Sequence, residues 1–209
     1  MRSKGRFVLL ALATVMAVLV LAVPAQAASN MVKGDSQLLS PNPMVTSLQS
    51  KHVTINALSP VSFRQRWSNG KLTWWFDVPM AMKSGANYST YNVSTGKGTW
   101  YHSGSMVWVD AGQTPNKGLK WQGFRIRSTD KSHYYLVATV GNQAPYVPNI
   151  TVAQSTATPS ITHSGKKYHI DGIAFKLLPT AQSQLQTAIG ETIPTNLVLF
   201  DGDLFFTMK

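Results

Sequence analysis

Two neighbouring residues, Asn69 and Gly70, constrain the fold more than any others, because they join two runs that alternate with a period of two. Asn-Gly is the strongest short hairpin signal, since both positions accept positive φ. Centred there, the turn sets Trp67 opposite Leu72, Gln65 opposite Trp74, Phe63 opposite Phe76 and Val61 opposite Val78. These pairs share one face and nearly all are apolar, so Trp67 and Trp74 are expected in the core. The other face pairs Arg66 with Thr73, Arg64 with Trp75 and Ser62 with Asp77. A slip of one residue would turn the apolar set to solvent, so pattern and turn agree on one register. Arg64 is thereby placed beside the Trp75 indole, a cation–π pair worth about 0.5–1 kcal/mol when exposed.

From about Val45 onward the chain repeats this texture. Short β-branched and aromatic blocks are punctuated by Asn69-Gly70, Gly96-Lys97-Gly98, Asn116-Lys117-Gly118, Gly141-Asn142, Asp171-Gly172 and Asp201-Gly202. A second hairpin is expected between 124–127 and 133–137, turning over Thr129–Ser132. It would bury Phe124, Ile126, Tyr135 and Val137 and turn Arg125, Arg127 and Tyr134 outward. A third joins Leu197–Phe200 to Leu204–Thr207 at Asp201-Gly202. It is apolar on both faces, as an interior strand or a subunit contact would be. Only Ala181–Ile193 reads as helix, with Thr180 as its cap, Leu185, Ala188 and Ile189 on one face and Pro194 as its stop. Residues 28–43 read as a flexible leader, rich in Ser and Pro. The expected fold is all-β and mainly antiparallel over 44–209, divided if at all into 44–115 and 116–209, with one short helix in the C-terminal half.

The first 27 residues have the order of a secretory signal: Arg2, Lys4 and Arg6, then the apolar run Phe7–Val23, then Ala25-Gln26-Ala27. Cleavage after Ala27 would leave no membrane span. An uncleaved anchor is the competing reading. No Cys follows the run, which excludes a lipoprotein, and the chain has no Cys at all, which excludes disulfides and thiol catalysis. The expected location is therefore secreted, extracellular or cell-wall associated. Lys and Arg number 19 against 8 Asp and Glu. A cationic exported protein meets polyanions, such as teichoic acids, anionic lipid heads or sulfated glycans; nucleic acid is not the expected partner.

Thr99-Trp100-Tyr101-His102-Ser103-Gly104-Ser105-Met106-Val107-Trp108-Val109-Asp110-Ala111 is an aromatic pair, a small turn, then Trp-Val-Asp-Ala. It resembles the closing hairpin of bacterial SH3-like cell-wall attachment modules, of the GW type or of the repeats in lactobacillar surface-layer proteins. The preceding Asn87–Asn92 stretch resembles the strand that opens such a module. The resemblance covers about residues 86–113, and Val107-Trp108 stands where GW modules have Gly-Trp. It implies an SH3-like barrel that holds a protein to the wall or to lipoteichoic acid, and it adds Trp100, Tyr101 and Trp108 to the candidate ligand-binding residues Arg64, Trp75, Arg125 and Arg127.

Evidence for catalysis is thin. His163, His169 and Asp171 form the best local cluster, with His169 and Asp171 on one face of a strand. The spacing does not match wall zinc peptidases, and no elbow, phosphate loop or dinucleotide fingerprint is present. No catalytic residue, metal site or cofactor is assigned. The expected function is non-catalytic binding of an anionic cell-envelope polymer, teichoic acid or wall glycan. Two alternatives stand beside it: an exported wall-polymer or glycan hydrolase centred on His163, His169 and Asp171, and a surface-layer or adhesin component that forms homo-oligomers through its C-terminal apolar segment.

Overall fold

The computed structural model describes residues 30–81, 83–84, 87–112, 117–141 and 147–209. The signal-like segment lies outside them. In chain order the elements are β1 (Asn30–Ser40), α1 (Asn42–Ser50), β2 (Val53–Leu58), β3 (Ser62–Ser68), β4 (Lys71–Ala81), β5 (Lys83–Ser84), β6 (Asn87–Tyr88), β7 (Thr90–Tyr91), β8 (Gly98–His102), β9 (Ser105–Asp110), β10 (Lys117–Ser128), β11 (Tyr134–Val140), β12 (Val147–Ser155), β13 (Ser160–Ser164), β14 (Lys167–Leu177), α2 (Pro179–Ile189) and β15 (Val198–Met208).

The strands close a barrel of eight, each pairing antiparallel, in the order β10, β11, β12, β14, β15, β1, β4 and β8, with β8 returning to β10. Closure removes the sheet edges that an open sheet would leave unpaired. Period-two alternation supplies the interior. Along β4, Leu72, Trp74, Phe76, Val78 and Met80 are buried while the residues between them are not. Trp100, Tyr134, Phe124, Phe175, Phe200 and Leu38 fill the interior from the other strands. Their rings meet at angles that favour aromatic contact, such as Phe76 to Phe200 at 5.8 Å and 79°. β2 and β9 extend the sheet beyond β10, and β3 hangs outside β4. Helix α2 lies against β9, β10 and β12, burying Ala181, Leu185 and Ile189.

The Asn69-Gly70 hairpin has the register read from the sequence, from Ser62 opposite Asp77 to Ser68 opposite Lys71. Asn69 and Gly70 take φ of 51° and 70°. Trp74 is buried as expected. Trp67 is 68 % exposed, because β3 overhangs the barrel and, among the described residues, no strand pairs with its other edge. The apolar face of a hairpin is buried only as far as a second layer reaches.

Four further expectations change. The stretch read as a leader holds β1, which fills the space between β15 and β4. Its Ser36, Leu38 and Ser40 alternate inward, a pattern that its polar composition concealed. A second helix, α1, follows at once, started by Pro41 and Pro43 and burying Met44, Val45 and Leu48. The expected C-terminal helix runs over Pro179–Ile189, beginning with proline and ending at Gly190 in the left-handed region rather than at Pro194. Strands from both sides of residue 115 close the one barrel.

The turns at Ser103-Gly104 and Asp201-Gly202 are not hairpins. β8 and β9 both run antiparallel to β10 along one of its edges, as one long strand bent at Ser103-Gly104. β15 passes straight through Asp201-Gly202 and is interior, between β14 and β1. A Cβ at Gly202 would meet the Phe175 ring at 2.9 Å, so glycine stands here for close packing rather than for a turn.

Candidate functional site

The outward face of the β3–β4 hairpin places the Arg64 guanidinium 5.5 Å from the centre of the Trp75 ring. The Trp75 indole donates to Thr73 Oγ1 at 3.1 Å, which fixes the ring. Arg64, Gln65, Arg66 and Trp75 line a shallow cleft of about 330 Å³. Asp77 accepts from Arg64 at 3.2 Å and from Gln37 at 3.0 Å. The Arg64–Asp77 pair is solvent-exposed and therefore adds little stability.

A second basic face is built on β8, β10 and β11. Arg125 sits between Tyr101 of β8 and Val137 of β11, and Arg127 between Thr99 and Tyr135. Arg127 is exposed, and Arg125 and Tyr101 are half-buried. Five residues, 129–133, join β10 to β11, closed by the Thr129 N–H on the His133 carbonyl at 3.1 Å. The sequence reading assumed four. That one residue exchanges the pairing faces of β11, so Tyr134 is wholly buried and Tyr135, half-buried, joins the arginines, while Val137 is buried as expected.

Beside Arg127 lies a cleft of about 420 Å³ lined by Thr90, Lys97, Gly98, Thr99, Arg127, Ser128 and Thr129. Its lining has two cations, several hydroxyls and no carboxylate. The loop carrying Lys97 is pinned at both ends. Asn92 N–H donates to the Lys97 carbonyl at 2.8 Å, and buried Ser128 Oγ donates to the Gly96 carbonyl at 2.6 Å. Among the described residues neither Lys97 nor Arg127 has an ion-pair partner. The nearby Asp130 carboxylate is occupied by its own turn, accepting from the Ser132 N–H at 2.7 Å and contacting His133 Nδ1 at 2.8 Å. The Ser132 N–H first, then His133, holds it below the ordinary carboxylate range.

Trp100 and Trp108 do not belong to a binding face. Both are 0 % exposed. Trp100 stacks on Tyr134 at 6.2 Å inside the barrel, and Trp108 packs on Trp121 at 4.9 Å. The Trp-Tyr and Trp-Val alternation of these strands signals core as readily as ligand contact. Of the seven sequence-derived candidates the structure therefore leaves five at the surface: Arg64 and Trp75 on one hairpin, and Tyr101, Arg125 and Arg127 on the other face. Lys97 is the residue that sequence reasoning missed, although its Gly-Lys-Gly setting already marked an exposed loop.

The histidine–aspartate cluster also changes membership. His163 pairs with Tyr168 in register and stacks on its ring at 5.2 Å, whereas His169 pairs with Thr162 and takes the opposite face. His169 stacks on Phe205 at 4.2 Å. Between Ile170 and Ile173 the strand β14 bulges, setting Asp171 and Gly172 against Asp203 of β15. Gly172 takes φ of 77° there, and its N–H donates to Asp203 Oδ1 at 3.2 Å. One ligand atom each from His169, Asp171 and Asp203 lie within 4.8 Å of one another. Burial, reinforced by the facing Asp171 carboxyl, raises the Asp203 carboxyl to about 6. Burial and Asp171 also raise Asp201.

No helix among the described residues is long and apolar enough to cross a membrane. The sequence matches no protein-family model and no curated protein. The fold is similar to that of the C-terminal domain of HtaA from Corynebacterium glutamicum, with a TM-score of 0.54 over 87 % of this chain and 100 % of that domain, at 8 % identity. A domain-swapped dimer of a variant of the same domain aligns over 80 % of this chain and 91 % of that one, with a TM-score of 0.47 at 10 % identity. Identity this low speaks for a common fold and nothing finer.

Proposed function

We propose that this protein is a non-catalytic, exported β-barrel that binds an anionic polymer of the cell envelope through the outer face of β8 and β10. The observation that carries the reading is the cleft beside Arg127. Among the described residues Lys97 and Arg127 have no ion-pair partner and flank hydroxyls of Thr90, Thr99 and Thr129, and none of the described residues lining the space is a carboxylate. Lys97 supplies a point charge and Arg127 a planar fork suited to phosphate or sulfate oxygens. Tyr101 and Arg125 extend the face along β8 and β10. The Arg64–Trp75 pair offers a second contact, where an indole can cover a sugar face.

A repeating polyanion suits two separated basic faces better than a small anion does, because one chain can engage both and gain effective concentration. The net charge of +11 falls to +8 once Arg2, Lys4 and Arg6 leave with the signal-like segment, and it draws such a polymer in from a distance. The resemblance of residues 86–113 to wall-attachment modules points to the same ligand class, although its two tryptophans serve the core here. The test is co-sedimentation of the purified protein with cell walls before and after chemical removal of teichoic acid. Loss of binding on removal supports a phosphate-rich polymer, unchanged binding moves the assignment to wall glycan, and no binding to either wall rejects the proposal.

A further inference from the structure

The acids of this basic protein are not spread evenly. Asp171, Asp201 and Asp203, three of the chain's eight acidic residues, occupy β14 and β15 around a single bulge. Strand geometry explains how they meet. Phe205 lies opposite His169, so Asp203, two residues before it on β15, has the same face as His169. Asp171 follows His169 by two and is re-aimed by the bulge toward Asp203. Gln37 of β1 completes the row on the other side of Asp203.

We propose that His169, Asp171 and Asp203 form a binding site for a divalent transition-metal ion of the zinc type. The three side chains bring one imidazole nitrogen and two carboxylate oxygens within 4.8 Å of one another. Such spacing lets one ion touch all three, and a mixed nitrogen and oxygen set favours zinc or cobalt over magnesium or calcium. A second, independent feature is the state of His169. Its Nε2 is buried and has no hydrogen-bond partner, an arrangement that costs free energy unless a ligand fills it. The ring is held in place by its stack on Phe205, and Asp203 by the Gly172 N–H, so two of the three donors are already oriented.

His169 also lines a surface groove of about 520 Å³, together with Lys33, Lys167, Tyr168 and Phe205. Three protein donors leave coordination positions for water or for an anionic group of a ligand held in that groove. Among the described residues no other trio of His, Asp or Glu side chains converges in this way.

The experiment is a titration of the full purified chain with Zn²⁺ followed by calorimetry, and with Co²⁺ followed by its visible absorption and by histidine NMR signals. Saturable binding of one ion per chain is expected, with the His169 ring signals broadened by Co²⁺ and those of His133 unaffected. His169→Gln and Asp203→Asn should each weaken Zn²⁺ binding at least about tenfold, since loss of outer-shell partners alone has that effect. His163→Gln should leave it unchanged. Absence of saturable Zn²⁺ binding by the unaltered chain overturns the proposal. So does Co²⁺ broadening of His133 or His163 in place of His169, which reads directly on the unaltered protein even where a variant fails to fold.

Discussion

Ser36 Oγ lies 2.6 Å from His102 Nε2 inside the barrel, joining β1 to a β8 residue 66 positions away through the core. Ser36, Leu38, Val78, Phe124, Ile126 and Leu136 surround the ring, and none of them carries a charge. Burial lowers the imidazole to about 4, against the opposing pull of the Phe124 and Trp100 carbonyls. His102 is therefore neutral at pH 7, with Ser36 Oγ as the partner of its Nε2.

The sign of its pH effect follows from the depressed value. The unfolded chain takes up the proton near 6.5 and the folded chain near 4, so stability is intact above 6.5 and is lost as pH falls toward 4. A shift of that size corresponds to about 3 kcal/mol. Urea unfolding at several values between pH 7 and pH 4 should show this loss. In His102→Gln, which keeps a partner for Ser36 but does not titrate, the slope should flatten. An equal slope in both proteins would show that His102 is not the group responsible.

Asp203 acts in the opposite direction. Its carboxyl is raised to about 6, so the folded state holds that proton more tightly than the unfolded state does. Its contribution to stability is present below about 3.8 and is lost as pH rises through about 6. In metal-free buffer Asp203→Asn should therefore be more stable than the unaltered chain at pH 7.5, and the gap should close by pH 4. A gap that widened toward pH 4 would contradict the burial of this carboxyl.

The hairpin provides a test of register. Trp74 is 2 % exposed, and Trp74→Ala should cost about 3–5 kcal/mol. Trp75→Ala removes an outward ring and its Arg64 contact, and should cost about 0.5–1 kcal/mol. Gly70→Val meets no atom within 4 Å, so its cost is backbone strain alone, about 1–2 kcal/mol. Thermal melts of the two tryptophan variants decide the matter. The reverse order would mean a register shifted by one residue.

The sequence was legible where two local signals agreed. At Asn69-Gly70 the turn type and the alternation specified the same pairing, and every partner from Ser62 to Ser68 is where they put it. It misled where a turn-forming dipeptide lay within a long strand. Asp171-Gly172 is a bulge and Asp201-Gly202 is continuous strand, because both sit between neighbours whose hydrogen bonds outweigh local turn preference. Those misread dipeptides are also what gather His169, Asp171 and Asp203, so the cluster was visible only in part as His169-Ile170-Asp171. The strand β1 was missed for a different reason. Its inward residues include serines, and Ser36 and Ser40 are satisfied by His102 and by the Leu199 carbonyl, partners remote in sequence.

If attraction between charges drives association with the wall, binding should weaken steeply with salt. Exposed charges are screened beyond about 8 Å at 0.15 M ionic strength. Retention on purified walls, measured across a salt series, should fall toward molar salt. Retention that did not change would assign the contact to stacking on Trp75 and Tyr101 instead.

The most direct measurement reverses the charge of the cleft without touching the core. Lys97 and Arg127 are exposed, so Lys97→Glu with Arg127→Glu should fold as the unaltered chain does. Their affinities for purified teichoic acid at one fixed salt concentration can then be compared, with Lys71→Glu and Lys117→Glu, both exposed and outside the cleft, as a control of equal net charge. The cleft pair should lose at least about tenfold in affinity, or 1.4 kcal/mol, and the control pair much less. Equal losses in both would mean that net charge alone attracts the polymer and that the cleft beside Arg127 is not its site.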